Sequence, residues 1–226
     1  MTTTPLFLDG VSKVFGHGPT EVKALRNVSL AVEPGELVAI MGPSGSGKST
    51  LLNIAGLLQR PTTGRVLIDG QDASTMNDGQ LAALRREKVG VVFQRFNLVP
   101  TLTVGENVAL PLELCGSSLS DVSPSVAEAL AEVGLEGTFD RFPEEISGGQ
   151  AQRVAIARAL IGSRSLILAD EPTGALDTTT GDQVMQVLRQ RISDGAAGVL
   201  VTHEPRFAAW ADRVLYVRDG QLGKGA

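Results

Sequence analysis

The sequence predicts an α/β fold interrupted by a helical insertion, on three observations. Short apolar runs recur at 37–41, 89–93, 166–169, 199–201 and 214–217, each bounded by glycine, polar or charged residues. Runs this short, with such boundaries, read as buried strands. Between about 95 and 160 the pattern becomes helical and is punctuated by proline and glycine. Beyond it, strand signals return and alternate with a helix, as an α/β core requires.

In chain order, Val28, Leu30 and Val32 alternate with polar or small residues and predict a strand. Pro34-Gly35 then turns the chain into the strand 37–41. A helix is expected over 50–55, and Val66-Leu67-Ile68 forms a strand ending in the hairpin turn Asp69-Gly70. The run 89–93 ends at Gln94. In the insertion, Val126, Leu130 and Val133 share one helical face, and a second helix covers 151–160. Val184, Met185, Leu188 and Ile192 mark a helix between the strands at 166–169 and 199–201. The expected organisation is one domain over 1–226, with an α/β core from 1–94 and 161–226 and a helical subdomain from 95–160.

Composition narrows the function classes. Hydrophobic residues make up 42%, enough for a normal core, and the net charge of −5 disfavours nucleic acid as a partner. Cys115 stands alone, which excludes a disulfide framework within the chain, suggests a reducing compartment and is expected to be an ordinary buried thiol. The first residues lack the pattern of a signal peptide, and no apolar run approaches the ~20 residues needed to span a bilayer. A soluble cytoplasmic protein is expected, unless a partner holds it at a membrane.

Residues 42–50 read Gly-Pro-Ser-Gly-Ser-Gly-Lys-Ser-Thr, the pattern GxxxxGK[ST] between a strand and a helix. Gly42, Gly45 and Gly47 let the backbone curl, so that its N–H groups, with those of Ser44, Ser46 and Thr50, turn toward phosphate oxygens at a positive helix end. Lys48 brings a point charge to the terminal phosphates, and Ser49 a hydroxyl for Mg²⁺. The loop implies a nucleoside triphosphate.

The strand 166–169 runs into Asp170 and Glu171. Asp170 is placed to reach the Mg²⁺ shell from the C-terminal edge of the sheet, and Glu171 to polarise an attacking water. Ser147, Gly148, Gly149 and Gln150 open the helix over 151–160, a second phosphate-binding device at a helix N-terminus. A purely structural cap would need only Ser147.

With both phosphate loops in view, the chain resembles, over essentially its whole length, the nucleotide-binding domain of ATP-binding cassette (ABC) transporters. Residues 42–50 match the Walker A loop, 166–171 the Walker B strand, and 147–150 the signature loop. Gln94 matches the glutamine that couples nucleotide to the permease and touches the metal, Asp177 the D-loop, and His203 the switch histidine of the γ-phosphate. The resemblance implies a P-loop NTPase core: a RecA-like mixed sheet with an antiparallel β subdomain and an inserted α-helical subdomain. It further implies ATP and Mg²⁺, a homodimer with each ATP between one copy's Walker motifs and the other's signature loop, and a separate membrane permease holding the pair at the inner face of the membrane.

Phe15 falls where the family stacks an aromatic, usually tyrosine, on adenine; a place in the core is the alternative. The signature loop starts with Ile146 where leucine is common, and Ala175 replaces a side chain that is often polar. His203 could also be a plain strand-end histidine, and His17 is read as a loop residue. The segments 21–26, 41–44, 93–100 and 106–112 look like the lipoprotein-release and macrolide-export branch, whose members drive a mechanical stroke across the membrane. Residues 96–114 are expected either to receive the permease or to pack internally. A ribosome- or DNA-bound ABC protein is disfavoured by a single cassette and acidic charge, and a non-hydrolysing ATP sensor by Asp170, Glu171 and His203.

Overall fold

A computed structural model describes residues 3–224. Its first elements are β1 (Leu6–Phe15), β2 (Val22–Val32), β3 (Leu37–Met41), α1 (Lys48–Ala55), β4 (Thr63–Ile68), β5 (Gln71–Asp72), α2 (Asp78–Lys88) and β6 (Val89–Val92). The inserted helices follow as α3 (Val104–Glu113), α4 (Leu119–Glu132) and α5 (Gly148–Leu160). The chain then runs through β7 (Leu166–Asp170), α6 (Thr178–Ser193), β8 (Ala197–Val201), α7 (Pro205–Ala208), β9 (Arg213–Arg218) and β10 (Gln221–Lys224).

Two sheets result. One is antiparallel, in the order β2-β1-β4-β5; the other is mixed, in the order β10-β9-β3-β8-β7-β6. In the mixed sheet β9, β3, β8, β7 and β6 run parallel, and β10 turns back antiparallel on β9. Its inner strands β3, β8, β7 and β6 are buried on both faces, with alternate residues serving two cores, whereas β9 leaves Tyr216 exposed. Val38, Ile40, Leu166, Leu168, Val199 and Val201 face the core shared with α1 and the antiparallel sheet. Leu37, Ile167, Ala169 and Leu200 face the core shared with α3 to α6. The insertion leaves the sheet at β6 and returns at β7, and these two strands are paired neighbours.

Local chemistry explains most boundaries. Asp69 and Gly70 both take positive φ (48° and 75°), the geometry of a two-residue hairpin turn between β4 and β5. Asp219 and Gly220 repeat it between β9 and β10, at φ 51° and 76°. Asn77 with Gln80 and Thr103 with Glu106 form capping boxes at the starts of α2 and α3.

Three features depart from the sequence expectations. β1 was not marked by a clean alternation, because it bulges at Gly10 (φ 58°) and its pairing with β2 slips between Leu8 and Val11. α2 is mostly polar and buries only Leu81 and Leu84, so its apolar period is short. Cys115 is exposed rather than buried. It lies just past the end of α3, where its N–H bonds to the Leu112 carbonyl and the turn carries the side chain away from both cores.

Candidate functional site

Four parallel strands end at one edge of the mixed sheet, and each delivers a residue to the same cleft of about 610 Å³. The loop after β3 brings Gly42, Ser44, Gly45, Gly47, Lys48, Ser49 and Thr50; beyond β6, β7 and β8 come Gln94, Asp170 with Glu171, and His203.

The loop is held by its surroundings as much as by its own turns. A Cβ on Gly42 (φ 150°) would lie 2.2 Å from the Val217 carbonyl oxygen, and one on Gly47 (φ 110°) 2.4 Å from that of Ala24. β9 and β2 therefore press against the loop backbone from two sides, and only glycine fits. Gly45, by contrast, faces open space. Ser46 is buried, and its hydroxyl has no hydrogen-bond partner among the described residues. Gly47 supplies no side-chain cap to α1, leaving the first-turn N–H groups free for an anion. The Lys48 ammonium donates to the carbonyls of Gly42 (2.8 Å) and Pro43 (2.9 Å), which pins it across the mouth of the loop.

Asp170 sits half-buried at the end of β7. Burial raises its pKa; the hydrogen bond from Ser49 and the charge of Lys48 oppose that rise, while Glu171 adds to it. Glu171 adopts positive φ (51°), uncommon for a glutamate, with its N–H bonded to the Val201 carbonyl of the neighbouring strand at 2.9 Å. That turn points its carboxylate into the cleft, where Oε2 lies 2.6 Å from His203 Nδ1. The Glu171 hydrogen bond, then its charge, raises the His203 pKa. His203 and Glu171, from the ends of β8 and β7, thus meet within the cleft.

Other residues named from the sequence lie outside this cleft. Phe15 is 40% exposed, which rules out the core alternative. It pairs across the strands with Val22, a lining residue of the cleft, and so stands at the rim. The Lys13 ammonium lies 5.2 Å from its ring centroid. Ser147 caps α5, which begins at Gly148, earlier than expected. Ser147 Oγ accepts from the Gln150 N–H at 3.2 Å, and Gln150 Oε1 accepts from the Ser147 N–H at 2.9 Å. The cap therefore uses the glutamine as well as the serine, a correction to the expectation that the serine alone would serve. Asp177 caps α6, accepting from the N–H and hydroxyl of Thr180, and that hydroxyl bond above all lowers its pKa. The two caps are neighbours, since a Cβ on Gly149 would lie 3.5 Å from Leu176 Cδ2.

Sequence reasoning missed Lys23, Arg26, Asp219 and Gly220, which also line the cleft. The Asp-Gly pair was a signal for a hairpin there. It also missed Asn107, fully buried, whose side chain accepts from the Val99 N–H and donates to the carbonyls of Val99 and Thr103. Asn107 thereby fixes the connector that follows Gln94.

The family model for ABC transporters matches residues 25–174, which include the phosphate loop, Gln94, the capped N-terminus of α5 and Glu171. The chain belongs to the ABC transporter family. Among relatives of this cassette is the macrolide export ATP-binding/permease protein MacB of Chromobacterium violaceum, 47% identical over 98% of the chain and 34% of the relative. MacB of Hyphomonas neptunium is 46% identical over the same shares. The cassette thus spans about a third of the length of these curated relatives. Among solved structures, the dimeric structure of MJ0796, described as a bacterial ABC transporter cassette, superposes with a TM-score of 0.91 at 44% identity, covering 97% of this chain and 98% of that one. A post-hydrolysis state of MJ0796 bound to ADP and Pi matches equally well. The mixed sheet with its antiparallel subdomain and helical insertion is the ABC ATPase fold.

Proposed function

We propose that this cassette hydrolyses ATP with Mg²⁺, as one of a pair closed around two nucleotides, and passes the resulting stroke to a membrane permease. The observation that carries the reading is the convergence of Lys48, Ser49, Gln94, Asp170, Glu171 and His203 on one cleft. Magnesium fits the donors present. Ser49 and Asp170 bring two hard oxygen groups to the same cleft. Among the described residues no cluster of three His, Cys, Asp or Glu forms a cage, which suits an ion that shares its shell with phosphates and water. When bound, the ion offsets charge on the phosphate oxygens.

The protein groups then have separable roles. The loop N–H groups and Lys48 hold the phosphates. Glu171 accepts the proton of the attacking water, and the His203 hydrogen bond keeps its carboxylate aimed. Gln94 lies just past β6, where the insertion begins, and reports occupancy of the cleft to it.

The second copy is supported by two glycines that this chain's own packing does not require. A Cβ on Gly148 would find its nearest atom at 4.0 Å and one on Gly149 at 3.5 Å, both ordinary contact. The space over both is in keeping with a phosphate held by a partner copy over Ser147, Gly148, Gly149 and Gln150, beside Asp177. Phe15, at the rim, stacks on the adenine. The expected organisation, a core of 1–94 and 161–226 around a 95–160 subdomain, gives each copy both surfaces. No described helix is long and apolar enough to cross a membrane. A permease on a separate chain would hold the cassette at the inner face of the membrane, and the MacB names favour the export branch.

The test is Glu171→Gln. It should retain ATP binding, accumulate the ATP-bound dimer and lose most phosphate release; turnover at the unaltered rate would overturn the assignment of the base.

A further inference from the structure

Phe15 closes β1 at the rim of the nucleotide cleft, and its ring belongs to neither core. The next residue, Gly16, turns the chain away at φ 73°, so packing by itself does little to fix the ring. A phenyl group also lacks the hydroxyl with which a tyrosine could anchor itself. The group that meets it is a cation: the Lys13 ammonium lies over the ring, 5.2 Å from its centroid.

That ammonium is itself held in place. Lys13 Nζ donates to the Arg60 carbonyl at 2.8 Å, in the segment between α1 and β4. The same segment grips the residues on either side of Lys13. The Thr62 N–H donates to the Ser12 carbonyl at 2.8 Å, and Thr62 Oγ1 accepts from the Val14 N–H at 3.0 Å. Arg60 is fixed in turn, since its guanidinium donates to the Met76 carbonyl and to the Asp78 carboxylate, each at 2.8 Å. Among the described residues no carboxylate pairs with Lys13, so no anion competes with the ring for it. Lys23, Arg26 and Lys48 line the cleft, whereas Lys13 does not. Its path to a nucleotide therefore runs through Phe15.

We propose that Lys13 is a positioning residue for the nucleotide base: anchored on the Arg60 carbonyl, it holds and polarises the Phe15 ring from one face, and a purine stacks on the other. A cation on one face draws π density toward itself and leaves the opposite face electron-poor, which favours an electron-rich purine there. The inference rests on the stacking role given to Phe15 above and adds what makes that ring competent. Ammonium, phenyl ring and base then form three layers, and Lys13 acts on the base without acting on the phosphates.

The experiment is isothermal titration calorimetry of the full chain without Mg²⁺, so that no turnover intervenes, with ATP and with tripolyphosphate, which has no base. Lys13→Met keeps an apolar stem and removes the charge. It should weaken ATP binding about two- to fivefold, the size of an exposed cation–π contact, and leave tripolyphosphate binding unchanged. Lys13→Arg should bind ATP as the unaltered chain does, because a guanidinium also sits over an aromatic face. In the Phe15→Ala chain, Lys13→Met should cause no further loss, because the charge no longer has a ring to act through. Equal losses for ATP and tripolyphosphate would make Lys13 a general attractor of polyanions and overturn the proposal. So would additive losses in the double variant, or a Lys13→Arg chain no better than Lys13→Met. ATP affinity unmoved by Lys13→Met but weakened by Phe15→Ala overturns the proposal and leaves the stacking role standing. ATP affinity unmoved by Phe15→Ala overturns both.

Discussion

Gly42→Ala separates what the fold demands of the phosphate loop from what the nucleotide demands. Gly42 holds φ at 150°, and an added Cβ would lie 2.2 Å from the Val217 oxygen and 3.0 Å from Ser46 Oγ. The dihedral alone costs about 1–3 kcal/mol for a non-glycine residue, and backbone overlap in a packed region adds about 1–3 kcal/mol. The Val217 carbonyl does not yield readily, because it belongs to β9, which pairs with β3 on one side and β10 on the other. A combined loss of about 2–6 kcal/mol lowers the unfolding midpoint of a chain this size by about 4–24 °C. Partial relief by an outward shift of the loop misaims its N–H groups, so ATP affinity should fall about a hundredfold. Gly45→Ala is the control. It needs positive φ (75°) but meets no atom within 4 Å, so only about 1 kcal/mol and a few degrees are at stake. Circular dichroism melts and titration with a fluorescent ATP analogue read both effects. An unfolding midpoint for Gly42→Ala within about 2 °C of the unaltered protein, or equal losses for the two variants, would refute the reasoning.

Three further outcomes follow from the geometry. Gly90→Ala would place a Cβ 2.0 Å from the Ala159 oxygen and force β6 away from α5; a loss of about 3 kcal/mol and a midpoint lowered by about 6–12 °C are expected, and a melt unchanged within a degree would contradict this packing. Glu171 raises the His203 pKa, so the pair's stabilisation is complete below the unfolded value of about 6.5 and fades as pH rises through the raised folded value. With His203 largely exposed, the gain stays below about 1 kcal/mol; NMR titration should show its pKa falling in Glu171→Gln, and an unmoved titration would remove the pairing. Phe15→Ala should weaken ATP binding about tenfold with little change in kcat, Phe15→Tyr should not, and equal affinity for all three would end the stacking role.

Much of the site was legible because its signals are local. The phosphate loop is nine consecutive residues whose backbone curl depends on its own glycines, and Asp170 and Glu171 directly follow an apolar strand. The Asp69-Gly70 hairpin and the Ser147 cap are read within four residues of chain. The less legible elements were those with weak periods: β1, broken by its bulge at Gly10, and α2, with only two buried side chains. Cys115 was misplaced because burial of a single thiol depends on which way a turn faces, and composition carries no information about that.

The sequence by itself therefore marked the phosphate loop, the strand and helix texture, and the presence of an insertion. Tertiary structure alone decided that His203 Nδ1 meets Glu171, that Val217 and Ala24 clamp the phosphate loop, and that the Arg60 carbonyl anchors Lys13. The reason lies in the range of the forces. Turn preference, capping and apolar period act over a few neighbouring residues, whereas these contacts join segments distant along the chain through the strand order of the mixed sheet. That order is set by how whole faces bury against one another, which no short stretch of sequence encodes.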